Sequence, residues 1–520
     1  MRILLINPSY PFEEFPRLLV TLPYIASALR AEGHEVEILD LLLARTTPDK
    51  IERRMQRFRP QLVGITSVTL NHHIANSIGE VVRKCDGNVR IAMGGPHVSF
   101  EIEGSFRDLP ALDYIGIGEG EHTMVELARS LEGRMDVRDV RGLALRHDGG
   151  IVRTAPRPLE DDLDRLPNPA RELVPLARYL AFDSHASVVT SRGCPYACVF
   201  CSAPQWTGRQ VRYRNPSLCV DEIEELAKLG FTEITIEDDL FTLYRAHFMA
   251  VCNELVRRDT GIRWNAFSRV DTISPEIVAT MAKAGCQAIC FGVESGSQEI
   301  LDLVKKKSNL AKVKEAMRMT QDVGISALAS FIIGLPGETE ETLRKTVEFA
   351  NELHNEFGSL YGFHILAPFP GTEVRERAAE YGLEILSNDW TKYDANHVVT
   401  RTKGASPTVI QKVADEYEDT MERYMKYQDH LFAKDQLPAY ERKMYLRRLR
   451  QQLLWKLLLD DVIEGLPAYR EDAVGGLVAS VSEAAGVKPE FAAAEIDRVL
   501  ELGALVRDET PEGTRFAWSE

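Results

Sequence analysis

Residues 191–204 have the sequence SRGCPYACVFCSAP and carry three cysteines, Cys194, Cys198 and Cys201, in the spacing CxxxCxxC. Thiolates this close in sequence can bind a single metal centre once the loop folds around it. A structural zinc site needs four ligands, and an iron–sulfur cluster is ordinarily held by four cysteines. A cubane held by only three would leave one iron open to a further ligand. The alternatives are inert buried cysteines or a fragment of a zinc site.

The length and composition of the chain limit what it can be. Its 520 residues predict about three domains. The net charge of −16 argues against nucleic-acid binding, and the only short basic run, 305–307, is expected at a solvated helix end. No apolar stretch reaches membrane-spanning length, and the start lacks a signal-peptide layout. The other five cysteines are scattered, as is typical of free thiols. We therefore expect a cytoplasmic protein with no nucleic-acid partner and no transmembrane segment.

Downstream of the cysteines, strand-like and helical segments alternate from residue 186 to about 400. Six strand-like runs are each followed by polar or glycine-rich sequence, for example GVESGS at 292–297 and GLPGET at 334–339. Barrel active sites are built at these carboxyl ends of strands. The pattern indicates six β/α units for residues 186–400.

Upstream, residues 1–135 also alternate between strands and helices. Such alternation implies right-handed crossovers and a parallel, doubly wound sheet, whose ligands lie beyond the carboxyl ends of the strands. Those ends are predicted at residues 7–9, 67–69, 94–97 and 116–121. No GxGxxG follows the first strand, which disfavours a nicotinamide dinucleotide.

Two further regions complete the predicted organisation. Residues 136–185 are interpreted as a linker that contains a hairpin around Asp148-Gly149-Gly150 and a stretch rich in proline and acidic residues. We expect this stretch to be an ordered connector between domains, and a flexible tether is the alternative. Residues 401–520 are predicted to be mostly helical. Their last part has the outline helix, helix, hairpin of a small winged-helix module, although its acidic balance argues against DNA.

The cysteine motif, with the aromatic Phe200 before the last cysteine, resembles the signature of radical S-adenosylmethionine (SAM) enzymes. The preceding sheet, through the loops INPSYP, GGPHVSF and GIGEGEHT, is similar to the cobalamin-binding domain of that superfamily. The resemblance implies an α/β fold with a Rossmann-like cobalamin-binding sheet, a (β/α)6 partial TIM barrel and a mostly helical C-terminal domain. It also implies three cofactors: a 4Fe–4S cluster on the three cysteines, SAM on its open iron, and cobalamin. Because Leu41, Leu42 and Arg45 follow Asp40, no DxHxxG histidine is available as a cobalt ligand.

The resemblance also implies binding residues. Glu237 is placed near the SAM amino group, Arg269 near its carboxylate, Glu294 and Ser295 near its ribose and Ile333 near its adenine. Each of these residues could instead have a purely structural role: Glu294 could cap the next helix, and residues 237–239 could be a solvated turn. The implied cobalamin contacts lie at the strand ends of the first sheet and are Asn7, Pro8, Ser67, Thr69, Gly94, Gly95, Pro96, His97, Gly118 and Glu119.

The function that the resemblance implies is cobalamin-dependent radical SAM methylation of an unactivated carbon in a small-molecule or lipid-like substrate. It would proceed through a 5′-deoxyadenosyl radical and methylcobalamin, with electrons from a reductant such as flavodoxin or ferredoxin. One alternative is ring formation or rearrangement without methyl transfer, as in the oxygen-independent cyclase of chlorophyll synthesis. Another is a non-catalytic cobalamin-binding protein. No motif names the substrate.

Overall fold

The computed structural model describes residues 1–11 and 16–519, with no side chains described at 439 and 440. It contains two seven-stranded sheets flanked by helices, followed by a mainly helical C-terminal part. This confirms the predicted α/β fold class. Within the described residues, no helix combines the length and the apolar character needed to cross a membrane.

The first sheet, here called the N-terminal sheet, has five parallel strands and an antiparallel hairpin. In spatial order its strands are Glu35–Asp40, Arg2–Asn7, Leu62–Thr66, Arg90–Gly94, Tyr114–Gly116, Leu143–His147 and Gly150–Arg153. Helices cover both faces, so the strands are apolar on both sides. Ile3 and Leu5 pack with helices Thr21–Ala31 and Glu121–Leu131, whereas Leu4 and Ile6 pack with Pro48–Phe58 and His72–Cys85.

The hairpin at 143–153 differs from its predicted place in the linker. Its first strand pairs antiparallel with Tyr114–Gly116 and so extends the N-terminal sheet. The reason is burial, since Leu143, Ala144 and Leu145 are all buried in the cores of this sheet. Only the stretch after the hairpin runs between the two sheets.

The second sheet, here called the barrel sheet, contains the six predicted strands and one unpredicted one. In spatial order they are Arg17–Leu18, His185–Val188, Glu233–Ile236, Arg263–Ser268, Cys286–Glu294, Ser326–Ile333 and Leu360–Ile365, all parallel. Its longer helices are Pro216–Lys228, Arg245–Arg258, Pro275–Lys283, Leu310–Asp322 and Glu340–Phe357. The extra strand is donated by the segment that follows the first strand of the N-terminal sheet.

Short elements fill the connections. The short α-helices are Pro96–Phe100, Ile102–Asp108, Leu176–Ala181, Ala203–Trp206, Gln298–Leu303 and Glu373–Glu376. Two small antiparallel ladders pair Ser191–Arg192 with Arg212–Tyr213 and Glu384–Ile385 with Thr400–Arg401. The first of these ladders flanks the cysteines.

The C-terminal part begins with two long helices where one long tract was expected. They are Pro407–Ala433 and Ala439–Leu459, and the break coincides with Pro438, which has no N–H to continue a helix. Helices Ala473–Ala485 and Pro489–Glu501 and the hairpin Leu505–Thr510 with Gly513–Trp518 follow. The chain therefore ends with the predicted sequence of helix, helix and hairpin.

The linker after the hairpin is ordered and contacts every other part of the chain. The Tyr179 hydroxyl donates to the buried Asp40 carboxylate of the N-terminal sheet at 2.5 Å. Arg171 forms a buried ion pair with Glu222 on a barrel helix. Phe182 packs edge-on against Trp455 of the C-terminal part, with ring centroids 5.1 Å apart. These contacts join the two sheets and the C-terminal part through the linker.

Candidate active site

A cavity of about 460 Å³ lies between the carboxyl edge of the N-terminal sheet and the mouth of the barrel. One wall contains the glycine-rich strand ends, including Gly94, Gly95 and Gly118. The opposite wall contains Arg192 and Glu237 from the barrel side. The strand ends of the N-terminal sheet and the segments on either side of the cysteine loop therefore face one space, at the edge where ligands of parallel sheets and barrels lie, although none of the three cysteines is among its lining residues.

Two adjacent glycines shape the N-terminal wall in different ways. A Cβ placed on Gly94 would meet nothing within 4 Å, so it would project into the cavity. Gly95 has φ +114°, and a Cβ there would lie 2.3 Å from the carbonyl oxygen of Ser67. The backbone conformation therefore requires glycine at position 95. At position 94, the absence of a side chain leaves room for a flat ligand.

Two aspartates that follow the barrel strand Glu233–Ile236 hold both sides of the cysteine loop. The buried Asp238 carboxylate accepts from the N–H and hydroxyl of Thr190, at 2.6 and 2.5 Å, and from those of Ser191, at 3.0 and 2.7 Å. Asp239 accepts from the Gly193 N–H at 3.0 Å and the Thr207 hydroxyl at 2.7 Å. The predicted alternative of a solvated turn at 237–239 does not describe Asp238.

The three predicted cluster ligands lie together in this loop as free thiols. Burial raises the pKa of the Cys194 and Cys198 thiols and raises that of Cys201 to about 11. A metal centre would therefore bind them with release of protons. Among the described residues, no three His, Cys, Asp or Glu side chains are grouped as one metal ion requires. Three thiols in one loop are one ligand short of a structural zinc site, and they fit a cluster that leaves one iron open.

Arg269 is engaged by protein groups rather than left open for the SAM carboxylate. Its Nε and Nη2 donate to Asp271 at 2.9 and 3.1 Å, and Nη2 also donates to the Lys306 carbonyl at 2.6 Å. Its guanidinium carbon stands 3.7 Å from the ring centroid of Tyr196, and Nη1 is 3.9 Å from the Cys198 sulfur. In this structure Arg269 supports the cysteine loop.

Glu294 forms a buried ion pair that sequence reasoning missed. Its Oε1 lies 2.6 Å from Lys306 Nζ, and both side chains are buried. Glu294 has φ +70° at an irregularity of the strand register, and it does not cap the next helix, whose N-cap is Ser297. The expectation that 305–307 is solvated is therefore wrong for Lys306. A charged side chain gives no sequence signal of burial when its partner is twelve residues away.

Glu237 is the one predicted SAM contact that lines the cavity. Its carboxylate is 3.0 Å from Nη1 of Arg17, whose side chain is 41% exposed. The extra barrel strand Arg17–Leu18 positions this arginine, and a two-residue strand is too short to show a periodic pattern. Arg17 thus adds a cation to the barrel mouth that the sequence did not indicate.

Several other predicted contacts do not line the cavity. Ser295 is fully buried, and its hydroxyl lies 3.1 Å from the hydroxyl of Thr346. The side chain of Ile333 packs in an apolar cluster.

Among the predicted cobalamin contacts, His97 lies beside His72, with ring centroids 4.1 Å apart. Burial lowers the pKa of His97 to about 3. Its Nδ1 is 3.1 Å from the Thr69 hydroxyl, and the Ser67 hydroxyl is 3.1 Å from His72. This histidine cluster lies outside the lining and supports the cavity wall. Pro8 is also absent from the lining. The predicted cobalamin contacts that do line the cavity are Asn7, Gly94, Gly95, Pro96, Gly118 and Glu119.

Glu119 also joins the two walls. It accepts from Arg212 at 2.9 and 3.0 Å and lies 3.2 Å from Arg192, which pairs with Glu121 at 2.8 Å. Burial alone would raise the pKa of Glu119, but hydrogen bonds from Arg212 and the neighbouring positive charges lower it. The carboxylate is therefore held ionised, and partly buried ion pairs connect the glycine-rich loop to the strand before the cysteines.

Comparisons with known proteins identify the same two modules. The family model of the radical SAM superfamily matches residues 188–350, and that of the B12 binding domain matches residues 20–128. An uncharacterized methyltransferase of Pyrococcus horikoshii is 34% identical over 394 residues, 75% of this chain and 85% of that protein. The anaerobic magnesium-protoporphyrin IX monomethyl ester cyclase of Rubrivivax gelatinosus is 30% identical over 414 residues, 76% of this chain and 72% of that protein.

A solved structure shares the whole architecture. The cobalamin-dependent SAM radical enzyme OxsB, with aqua-cobalamin and SAM bound, aligns with a TM-score of 0.70 over 96% of this chain and 79% of that chain. At 18% identity this likeness shows the fold. The family models and the relatives match both modules, and one cavity lies between them. The chain therefore belongs to the cobalamin-dependent radical SAM enzymes.

Proposed function

We propose that this enzyme transfers a methyl group to an unactivated carbon of a small-molecule or lipid-like substrate. The observation that carries the proposal is the single cavity that glycine-rich strand ends and the barrel mouth line together. A methyl donor held by one wall and a radical generated at the other could then act on the same substrate carbon. The name of the Pyrococcus relative supports methyl transfer as the reaction.

The residues present fit the three cofactors. Cys194, Cys198 and Cys201 would hold the 4Fe–4S cluster, and Gly94, Gly95 and Gly118 would face cobalamin. Glu237 is proposed to bind the SAM amino group, which would compete with Arg17 for its carboxylate. When bound, these cofactors supply the radical and the methyl group. The remaining SAM and cobalamin contacts expected from the sequence stay predictions.

The chain's own groups would orient the reactants and exclude water. Asp238 and Asp239 fix the cysteine loop, and Arg269 supports it from the other side through Tyr196. The partly buried pair of Glu119 and Arg212 holds the glycine-rich wall against the barrel. A closed, preorganised cavity protects reactive species from side reactions.

The proposal includes an electron donor and a cellular location. Because a cluster of this kind needs an external electron source, a flavodoxin or ferredoxin would be the reductant. The second is a location in the reducing cytoplasm, which suits the free thiols of the described cysteines.

The Rubrivivax relative supports a second candidate, ring formation without methyl transfer. Cofactor products separate the two reactions. Methylation consumes one SAM to generate the radical and another to restore the methyl donor, so it yields both 5′-deoxyadenosine and S-adenosylhomocysteine. Cyclisation yields 5′-deoxyadenosine alone.

The test uses the anaerobically reconstituted enzyme, SAM with a trideuterated methyl group, a strong reductant and fractionated extract of the source cell. We expect a metabolite that gains the labelled methyl group, together with both SAM products. A Cys198→Ala variant serves as the control and should form neither product. Formation of 5′-deoxyadenosine without S-adenosylhomocysteine or label transfer would contradict methylation and support cyclisation. No SAM cleavage at all would indicate a non-catalytic protein.

A further inference from the structure

A second cavity, of about 530 Å³, lies on another side of the N-terminal sheet. It is formed by the loops after the strands Arg2–Asn7 and Glu35–Asp40, by helix His72–Cys85 and by the end of helix Ala439–Leu459. Of the described residues, only Tyr10 lines both this cavity and the active-site cavity. The second cavity is thus a separate space at the same ligand-binding edge of the sheet.

The lining combines an apolar body with one charged group. Trp455, Leu459 and Leu42 give it aromatic and aliphatic surface. Ser9 and Thr46 add hydroxyls, joined to each other at 2.9 Å. Such a mixture of apolar surface and a few convergent polar groups is typical of small-molecule sites, and the volume lies in their usual range.

Arg45 is the charged group, and the described structure gives it no partner. It lines the cavity, is exposed, and makes no hydrogen bond or ion pair with any described residue. None of the described lining residues is acidic, although the chain as a whole carries a net charge of −16. A lone guanidinium at the edge of an apolar cavity is suited to a carboxylate, which it can bind through two parallel hydrogen bonds.

The C-terminal part completes this cavity, since Trp455 and Leu459 line it together with the loops of the N-terminal sheet. Lys50, on helix Pro48–Phe58, pairs with Asp461, just after helix Ala439–Leu459, at 3.1 Å. Trp455 is held from behind by Phe182 of the linker. The walls are therefore fixed by packing and an ion pair that do not use the proposed ligand groups.

We propose that this second cavity is a binding site for an organic acid with a flat apolar body, read by Arg45 and packed against Trp455 and Leu459. The ligand is distinct from SAM and cobalamin, since none of their predicted contacts lines this second cavity. The site does not depend on the proposed methyl transfer, since Arg45, Trp455 and Leu459 do not line the active-site cavity.

The test compares two probes of one shape on the cobalamin- and cluster-loaded enzyme, 2-naphthoate and its neutral analogue 2-naphthamide, by saturation-transfer NMR titration. We expect one saturable naphthoate site and at least about tenfold weaker naphthamide binding. A tenfold loss of affinity is typical when a hydrogen bond to a charged group is removed. Arg45→Gln should abolish the preference for the acid. Arg53→Gln, an exposed arginine outside the cavity, should keep it.

A second variant checks the location without touching the charge. Ser77→Leu, which adds bulk at the cavity wall, should weaken both probes equally. The proposal is overturned if the two probes bind alike, if Arg45→Gln keeps the preference, if Ser77→Leu has no effect, or if the loaded enzyme binds neither probe. Because no outcome involves SAM cleavage, failure here leaves the proposed methylation untouched, and failure of methylation leaves this result standing.

Discussion

The carboxylate of Asp238 accepts both the backbone N–H and the hydroxyl of Thr190, at 2.6 and 2.5 Å, four residues before the first cysteine of the loop. It joins the carboxyl end of strand Glu233–Ile236 to the segment that leads into the cysteines. The position of the loop is thus set by a neighbouring strand before any metal binds.

Replacing Asp238 by Asn should loosen this loop. One amide oxygen cannot accept all four donors, and the amide N–H groups would face the donors of Thr190 and Ser191. Unsatisfied buried groups cost about 1–3 kcal/mol each. We expect a lower thermal midpoint and less iron retained after desalting, measured by calorimetry and iron assay. The same change at exposed Asp259 is the control, and equal iron retention in the two variants would contradict the role of Asp238.

Gly94 and Gly95 should respond differently to alanine. Gly94→Ala adds a methyl group that meets no protein atom, so its folding stability should match that of the wild type while cobalamin binds more weakly. Gly95→Ala is strained at φ +114° and would place its Cβ against the Ser67 carbonyl, so its stability should fall. Visible-absorbance titration with cobalamin and thermal melts measure the two effects. Unchanged cobalamin affinity in Gly94→Ala would place the corrin elsewhere.

Arg212 should hold the two walls of the active site together. Arg212→Gln leaves the half-buried Glu119 with Arg192 as its remaining cationic partner, and breaking a fully buried pair would cost about 3–5 kcal/mol, which is an upper limit here. We expect faster hydrogen exchange in the ladder of Ser191–Arg192 with Arg212–Tyr213. Arg209→Gln, an exposed change three residues away, should leave exchange as it is. Slow exchange in both variants would show that the ion pair does not stabilise the ladder.

Glu338, in the GLPGET segment, should make stability depend on pH. Burial raises its pKa to about 8, and its Oε2 accepts from the Gly334 N–H at 2.5 Å. Between the ordinary pKa of 4.5 and about 8 the native protein keeps a proton that the unfolded chain releases, so stability falls as pH rises through this window. Glu338→Gln removes that proton uptake.

The thermal midpoint of Glu338→Gln relative to wild type should therefore increase from about pH 5 to about pH 8, by the equivalent of a few kcal/mol. Thermal melts of both proteins across this range measure the difference. A difference that stays constant with pH would mean that Glu338 is ionised in the native protein.

The sequence predicted the parts of this fold that repeat along the chain. Alternating apolar runs and helices located every long strand of both sheets, because burial on both faces makes parallel strands continuously apolar. The cysteine spacing located the loop that Asp238 and Asp239 hold, since ligand spacing is a local property. The cavity followed from the rule that ligands lie at the carboxyl ends of strands.

What the sequence did not predict depends on contacts between distant residues. Arg17 and Leu18 form a strand only because His185–Val188 offers a free edge, and two residues show no period. Lys306 is buried because Glu294 turns towards it at a positive φ, and its charge alone suggested solvent. The hairpin at 143–153 looked like a linker because its pairing partner, Tyr114–Gly116, lies far upstream.

The central claim is that one chain holds an iron–sulfur cluster on three cysteines and cobalamin on the facing sheet. The most direct test measures iron, sulfide and cobalt per chain after anaerobic reconstitution of the wild type and of a variant with Cys194, Cys198 and Cys201 all changed to Ala. We predict about four iron atoms and one cobalt in the wild type, and cobalt without iron in the variant. A wild-type protein with no stoichiometric iron–sulfide or cobalt, or a variant that keeps its iron, would contradict the account.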